Sequence, residues 1–178
     1  WINRTIEANA YYTGSSFGGP LGFGLLLPRA DADDVSVAIR IRDTSRVSEG
    51  FGTEIPAVRE EDMAYDEPLT MLDVPLESRY RGKLRVYAFL PDVLTSEARV
   101  QLVARGGDAQ PGLQVLQLRR DCATCPEMPL YGELDLPATT VLGRVDVRID
   151  GPDEALTWGF ITITNNDTQQ VTTVTPQQ

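Results

Sequence analysis

Apolar and polar residues alternate in short runs along much of this sequence, and Gly, Pro, Asn and Asp separate the runs. The clearest run is Val35–Arg42, in which Val or Ile occupies every second position. A period of two places the apolar set on one face of a β-strand, whereas a helix needs apolar residues every three or four positions. The pattern therefore predicts strands with one buried face and one solvent-facing side.

Similar runs cover much of the remaining chain. Clear ones are Ile6–Tyr12, Leu84–Phe89, Ala98–Ala104, Leu113–Leu118, Val145–Ile149, Leu156–Ile163 and Gln170–Thr175, and weaker ones are Leu21–Leu27, Met71–Val74 and Tyr131–Leu136. The only helical expectation is one or two turns in Ala57–Tyr65, because Pro56 suits a helix start. About eight to eleven short strands predict an all-β fold, a two-sheet antiparallel β-sandwich that is immunoglobulin-like or jelly-roll-like, with at most one short helix.

We expect one domain over residues 1–170, with residues 171–178 as the end of the final strand and a polar, linker-like tail. Trp158–Ile163 is apolar on both sides, which indicates a central strand covered on both faces. Asn165–Asp167 then supplies residues that tolerate a left-handed backbone, so a hairpin should follow. In Leu113–Leu118 the alternation changes phase, which predicts a β-bulge or a strand that passes between sheets.

The chain has 178 residues and a formal net charge of -10, and all of its basic residues except Lys83 are arginines. Binding to nucleic acid or to an anionic membrane surface needs clustered cations, so neither partner is expected. No apolar stretch is long enough for membrane insertion. The arginine bias, the start at Trp1 and the polar end favour an exported bacterial protein, secreted, periplasmic or on the cell surface, cut from a longer precursor whose neighbouring domains are potential partners.

Histidine is absent from the sequence, which excludes the Ser-His and Cys-His types of catalysis and His-ligated zinc. Gly14–Gly18 matches the G-x-S-x-G pattern of a nucleophile elbow, but glycines and Pro20 follow where a helix must begin. We therefore interpret this segment as a glycine-rich loop.

Glu133-Leu134-Asp135-Leu136 resembles the first part of the signature of laminarinase-like family 16 glycoside hydrolases. That resemblance implies a jelly-roll sandwich whose nucleophile and acid lie on one strand face. Strand spacing does place Glu133 and Asp135 on the same side, as paired carboxylates require. The acid/base position is nevertheless occupied by Pro137, or by Ala138 if the motif is one residue longer, so we expect a solvated strand face without catalysis.

Cys122-Ala-Thr-Cys125 is compatible with a redox motif, half of a zinc site or a disulfide. A redox site requires a helix that starts at the first Cys, and zinc requires two further ligands that this chain offers only as carboxylates. A local disulfide between Cys122 and Cys125 suits an exported protein and is our prediction.

No cofactor is expected, and calcium is the one metal with candidate ligands: Asp31, Asp33 and Asp34 lie just before a predicted strand. Acidic turns facing water are the interpretation we favour for these residues and for Glu60–Asp62 with Asp66 and Glu67. A candidate ligand platform for sugar stacking consists of Tyr11, Tyr12 and Phe17, beside two glycines.

These observations predict a non-catalytic interaction or structural module that binds a protein or a glycan, outside the cytoplasm, through loops or a sheet face. The alternative is a carbohydrate-binding module or a carboxylate-based enzyme acting on glycans. It requires a concave face on which several of Tyr11, Tyr12, Tyr65, Tyr80, Tyr87 and Tyr131 lie beside paired acids. A third hypothesis, strand addition to a partner or to a second copy, requires an uncovered edge strand.

Overall fold

A computed structural model describes residues 39–41, 53–56, 58–104, 112–120, 128–138 and 143–177. The regular structure of these residues is nearly all β, as predicted. The strands are β1 (Ile39–Ile41), β2 (Thr53–Ile55), β3 (Ala64–Tyr65), β4 (Leu69–Pro75), β5 (Tyr80–Phe89), β6 (Thr95–Ala104), β7 (Gly112–Arg119), β8 (Leu130–Leu136), β9 (Arg144–Asp150), β10 (Leu156–Asn165) and β11 (Val171–Val174). Within these ranges the helical content is one 3-10 turn, Glu60–Asp62, and no helix is long and apolar enough to cross a membrane.

Most of the described strands belong to one antiparallel sheet that is nearly barrel-shaped. Its order is β11-β10-β5-β8-β7-β6-β9-β4, and β3 adds to β10. The two ends of this path approach each other, because Gln177 N, just after β11, donates to Thr70 O of β4 at 2.9 Å. β1 and β2 form a separate pair, and the Thr173 hydroxyl of β11 donates to Glu54 O of β2.

The core lies inside the curved sheet, and alternate residues are buried along β5, β6 and β9. On β5 the inward positions are Gly82, Leu84, Val86 and Ala88, and register places Leu136, Leu134, Gly132 and Leu130 of β8 opposite them on the same face. Ile161 and Ile163 of β10 complete this part of the interior. Burial of apolar surface is the main favourable term in folding. The alternation seen in the sequence places the apolar side chains on this inner face.

β10 confirms the prediction of a central strand. It pairs with β5 over ten register positions and with both β3 and β11 on its other edge. Phe160 and Ile161 point to opposite faces, and they are only 3% and 0% exposed. The hairpin to β11 is also confirmed, with the Asn165 side chain accepting the N–H groups of the turn residues Asp167 and Thr168. The left-handed residue is Gln169, at φ 59°, rather than one of the asparagines.

Of the two alternatives predicted for Leu113–Leu118, the β-bulge is wrong. The β6–β7 register runs without a shift, and the phase change arises because Leu113 and Val115 face outward, 59% and 53% exposed. The bulge lies instead in β4, between Met71 and Val74, where Asp73 takes a positive φ of 61°. The carboxylate of Asp146 accepts the Asp73 N–H at 2.9 Å and so holds the bulge in place.

β7 and β8 separate after a single contact point. Arg119 with Tyr131 is the one register pair that joins them in the described part of the chain. At the crossing, a Cβ on Gly132 would lie 2.6 Å from Gln117 O, so only glycine fits without a backbone shift. The sheet is therefore weakly connected at this position.

Candidate functional site

Polar and aromatic side chains cover the outer face of three neighbouring strands, β8, β5 and β10. Because the inward residues of β5 are the even-numbered ones, its odd-numbered residues point outward, and residues directly opposite on β8 and β10 share that direction. We call this surface the β5 outer face, and it consists of Arg81, Lys83, Arg85, Tyr87, Tyr131, Glu133, Asp135, Trp158, Phe160, Thr162 and Thr164.

Glu133 is the centre of an ion-pair cluster on this face. Its carboxylate accepts Arg85 Nε at 2.9 Å and Lys83 Nζ at 3.3 Å, and it also accepts the Tyr131 hydroxyl. Lys83 lies 3.3 Å from Asp135 as well. The register explains the cluster, since Arg85 stands opposite Glu133 and Lys83 opposite Asp135, and opposite charges on facing strand positions attract.

The pKa shifts within the cluster fix its protonation state. Partial burial acts to raise the pKa of Glu133, but the Tyr131 hydroxyl, Arg85 and Lys83 outweigh it and lower that pKa. The hydrogen bond to Glu133 is the main reason why the pKa of Lys83 is raised. Burial raises the pKa of Tyr131 and brings that of Tyr87 to about 12. At neutral pH the carboxylate is therefore ionised, the amine is charged and both phenols are neutral.

Aromatic rings continue the face on one side of the cluster. The centroids of Tyr87 and Tyr131 are 5.1 Å apart, and those of Tyr87 and Phe160 are 6.3 Å apart in a stacked arrangement. The Arg85 guanidinium lies 5.7 Å from the centre of the Phe160 ring. Trp158, opposite Tyr87, is 8% exposed, and its indole N–H has no acceptor among the described residues. The rings hold the arginine in position as they pack.

A small groove opens on the other side of the cluster, with a volume of about 220 Å³. We call it the Arg81 groove, and its lining residues are Arg81, Gly82, Lys83, Arg85, Asp135, Thr162 and Thr164. Arg85 donates to the Thr162 hydroxyl at 3.1 Å. Arg81 donates to Gln169 Oε1 at 3.4 Å, and no carboxylate of the described residues forms an ion pair with it. Within the described part of the chain, the groove thus presents a cation without a carboxylate partner beside hydroxyl groups.

The sequence-based candidates have different outcomes. The calcium candidates Asp31, Asp33 and Asp34, the cysteines Cys122 and Cys125, and the platform residues Tyr11, Tyr12 and Phe17 all lie outside the described residues. The acidic turn residues Glu60–Asp62, Asp66 and Glu67 are exposed, as expected. No group of three or more metal-ligating side chains occurs within the described ranges.

Glu133 and Asp135 share one strand face, as their spacing predicts. The Asp135 side chain is 83% exposed and fits the expected solvated face. That of Glu133 is only 29% exposed and is held by its neighbours, which the motif alone did not indicate. Sequence reasoning missed the cations on β5, although Arg81, Lys83 and Arg85 alternate along one strand and complement the carboxylates of Glu133 and Asp135.

The tyrosines named for a sugar-binding face are only partly brought together. Tyr87 and Tyr131 pack against each other at a tilt beside Glu133, whereas Tyr65 lies on β3 and is 55% exposed. No family model, no curated protein and no solved structure matches this chain. The functional interpretation therefore depends on the geometry of the β5 outer face.

Proposed function

We propose that this chain is a non-catalytic binding module of an exported bacterial protein, and that it holds a protein or glycan ligand against the β5 outer face. The observation that carries the proposal is the Arg81 groove, a polar depression built on the adjacent strands β5, β8 and β10. Strands hold side chains in fixed relative positions, so a site built on them is well ordered before the ligand arrives.

The state of Glu133 supports the non-catalytic interpretation. Glycoside hydrolysis needs a carboxylic acid that keeps its proton near neutral pH, which requires a raised pKa. The pKa of Glu133 is lowered, and its oxygens are already engaged by Arg85 and Lys83. Asp135, its neighbour on the same face, is exposed to solvent. This pair is suited to binding cations of the protein itself rather than to donating a proton.

A carbohydrate-binding module is the second candidate, and the aromatic rings favour it. Tyr87 and Tyr131 are partly exposed and lie on the far side of the Glu133 cluster from the polar groove, whereas Phe160, at 3% exposed, is buried beside Tyr87. Sugars commonly combine stacking on such rings with hydrogen bonds to charged side chains. The carboxylate-based enzyme is the weaker part of this alternative, since Glu133 has the charge of a nucleophile but Pro137 occupies the acid/base position of the motif.

The architecture we propose is a two-sheet sandwich, immunoglobulin-like or jelly-roll-like. One layer comprises β3, β11, β10, β5 and β8, and the other comprises β7, β6, β9 and β4. Its support is the single register pair, Arg119 with Tyr131, that links β8 to β7 in the described chain. The β5 outer face is then the outer side of one layer, where Trp158 and Phe160 are 8% and 3% exposed.

The test combines binding with turnover on the same samples. ¹⁵N-labelled protein is titrated with a panel of soluble neutral and acidic polysaccharides, and new reducing ends are counted after prolonged incubation. We expect amide shift changes in β5, β8 and β10 with at least one polysaccharide, and no reducing ends above the buffer rate. Reducing ends that accumulate with protein concentration would refute the non-catalytic interpretation. Shift changes confined to β6 and β7 would refute the placement of the site.

A further inference from the structure

We propose that the Arg81 groove binds an acidic sugar, with Arg81 holding the carboxylate of the ligand and Asp135 accepting one of its hydroxyl groups. The inference rests on the proposed binding function and names the ligand class for that same surface. It depends on the charge balance of the groove, on its hydrogen-bonding groups and on its size.

The charge balance points to an anionic group on the ligand. The three cations of β5 face two carboxylates of β8, which leaves one positive charge in excess on a chain whose net charge is -10. The excess lies at Arg81, because β8 ends at Leu136 opposite Gly82. One position further, where a carboxylate would face Arg81, the chain has Pro137. A guanidinium with free N–H groups binds a carboxylate through two parallel hydrogen bonds.

The hydrogen-bonding groups distinguish a sugar acid from a simple anion. Asp135 lines the same groove and is engaged by Lys83 through Oδ1 only among the described contacts. The Asp135 carboxylate repels any anionic group placed close to it, but it accepts a hydrogen bond from a hydroxyl, which a sugar acid has and sulfate lacks. The hydroxyl groups of Thr162 and Thr164 add further donors and acceptors. The groove therefore fits a ligand that carries a carboxylate and hydroxyls on one ring.

The size of the groove agrees with one ring at a time. Sites for drug-sized ligands enclose roughly 300–1,000 Å³, and this groove encloses about 220 Å³. An extended chain would place one acidic residue in the groove and continue past the exposed side chain of Asp135. Affinity from a single ring is modest and should fall with added salt, because charge attraction contributes to it.

The experiment measures dissociation constants by calorimetry, with EDTA present so that calcium does not bridge ligand and protein. The probes are α-1,4-linked trigalacturonate, the neutral galactotriose of the same linkage, sodium sulfate and hexaglutamate. We expect trigalacturonate to bind at least about tenfold more tightly than each of the others, since a charge-assisted hydrogen-bond pair contributes about a factor of ten or more. Equal or tighter binding of galactotriose, sulfate or hexaglutamate would overturn the assignment.

Two variants test the roles of the named residues. Arg81→Gln should weaken trigalacturonate binding about tenfold or more, while Arg148→Gln, with the same charge change on β9 beside Asp150, should leave it unchanged within about twofold. Asp135→Ala should improve sulfate binding and lower the preference for trigalacturonate over sulfate. A preference that rises in Asp135→Ala, or an Arg81→Gln variant that binds normally, would refute the inference. Amide shifts in β5, β8 and β10 with galactotriose alone would overturn it while leaving the binding function intact.

Discussion

Replacement of Glu133 by glutamine tests how much the ion-pair cluster stabilises the sheet. The substitution keeps the shape of the side chain and its hydrogen-bonding capacity for Arg85, but it removes the negative charge between Arg85 and Lys83. Hydrogen bonds to charged groups contribute about 1.5–3 kcal/mol, and exposed ion pairs contribute about 0.2–1 kcal/mol. The Glu133 side chain is 29% exposed, so we expect a loss of about 1–2 kcal/mol in the free energy of unfolding at neutral pH.

The same variant has a defined pH dependence. The pKa of Glu133 is lowered in the folded state. Its negative charge therefore makes its full contribution to the free energy of unfolding at pH values above the unfolded pKa of about 4.3. That contribution is lost as the pH falls through the folded-state pKa, because a protonated Glu133 resembles glutamine in charge. The difference in stability between wild type and Glu133→Gln should therefore shrink towards zero below about pH 4.

Urea unfolding followed by tryptophan fluorescence and circular dichroism measures this difference at several pH values. Glu61→Gln is the matched control: it removes the same charge from an exposed side chain, 3.9 Å from Arg59, and should change stability by less than about 0.5 kcal/mol. Equal stabilities of wild type and Glu133→Gln at pH 7 would show that the cluster contributes nothing. A loss that persists unchanged at low pH would show that charge is not its cause.

Three further variants and one control, Gly112→Ala, examine the packing of the sheet. Gly132→Val should destabilise by more than about 2 kcal/mol, because its Cβ would meet Gln117 O at 2.6 Å, whereas Gly112→Ala, with open space around it, should be neutral in urea unfolding. Ile161→Ala, at a fully buried position, should lower the free energy of unfolding by about 2–5 kcal/mol, measured in the same way. Arg120→Met removes the donor to the main-chain carbonyls of Met128 and Leu90. The thermal unfolding midpoint should therefore fall by about 2–8 °C.

Much of the strand content was predictable because alternation is a local property. Leu84–Phe89, Ala98–Ala104 and Val145–Ile149 were each recognised from their own residues, and each lies within a longer strand of the fold. The bulge is the instructive failure. Leu113 and Val115 were assumed to be buried because they are apolar, yet outward positions also accept apolar residues at little cost. A bulge at Asp73 depends on Asp146, which is distant in sequence and gave no local indication.

The candidate site was harder to predict because it depends on which strands are neighbours. Glu133 and Asp135 were placed on one face from spacing alone, but their partners Lys83 and Arg85 lie about fifty residues earlier in the chain. Complementary alternation, two carboxylates on one strand and cations on another, is a sequence pattern that indicates such pairing. No property of a single segment indicates that β5 stands between β8 and β10.

Pro137 connects the incomplete glycosidase-like motif to the proposed ligand site. The acidic alternation of β8 stops at Asp135, and Pro137 occupies the next outward position, so no carboxylate of β8 faces Arg81. Pro137→Glu would supply that carboxylate, and we expect it to weaken trigalacturonate binding about tenfold while changing stability by less than about 1 kcal/mol. Pro137→Gln is the matched control, since it removes the ring without adding charge. Calorimetry with both variants separates the effect of the added charge from that of the lost ring. An equal loss of trigalacturonate affinity in both variants would mean that the proline itself, rather than the charge of Arg81, shapes the site.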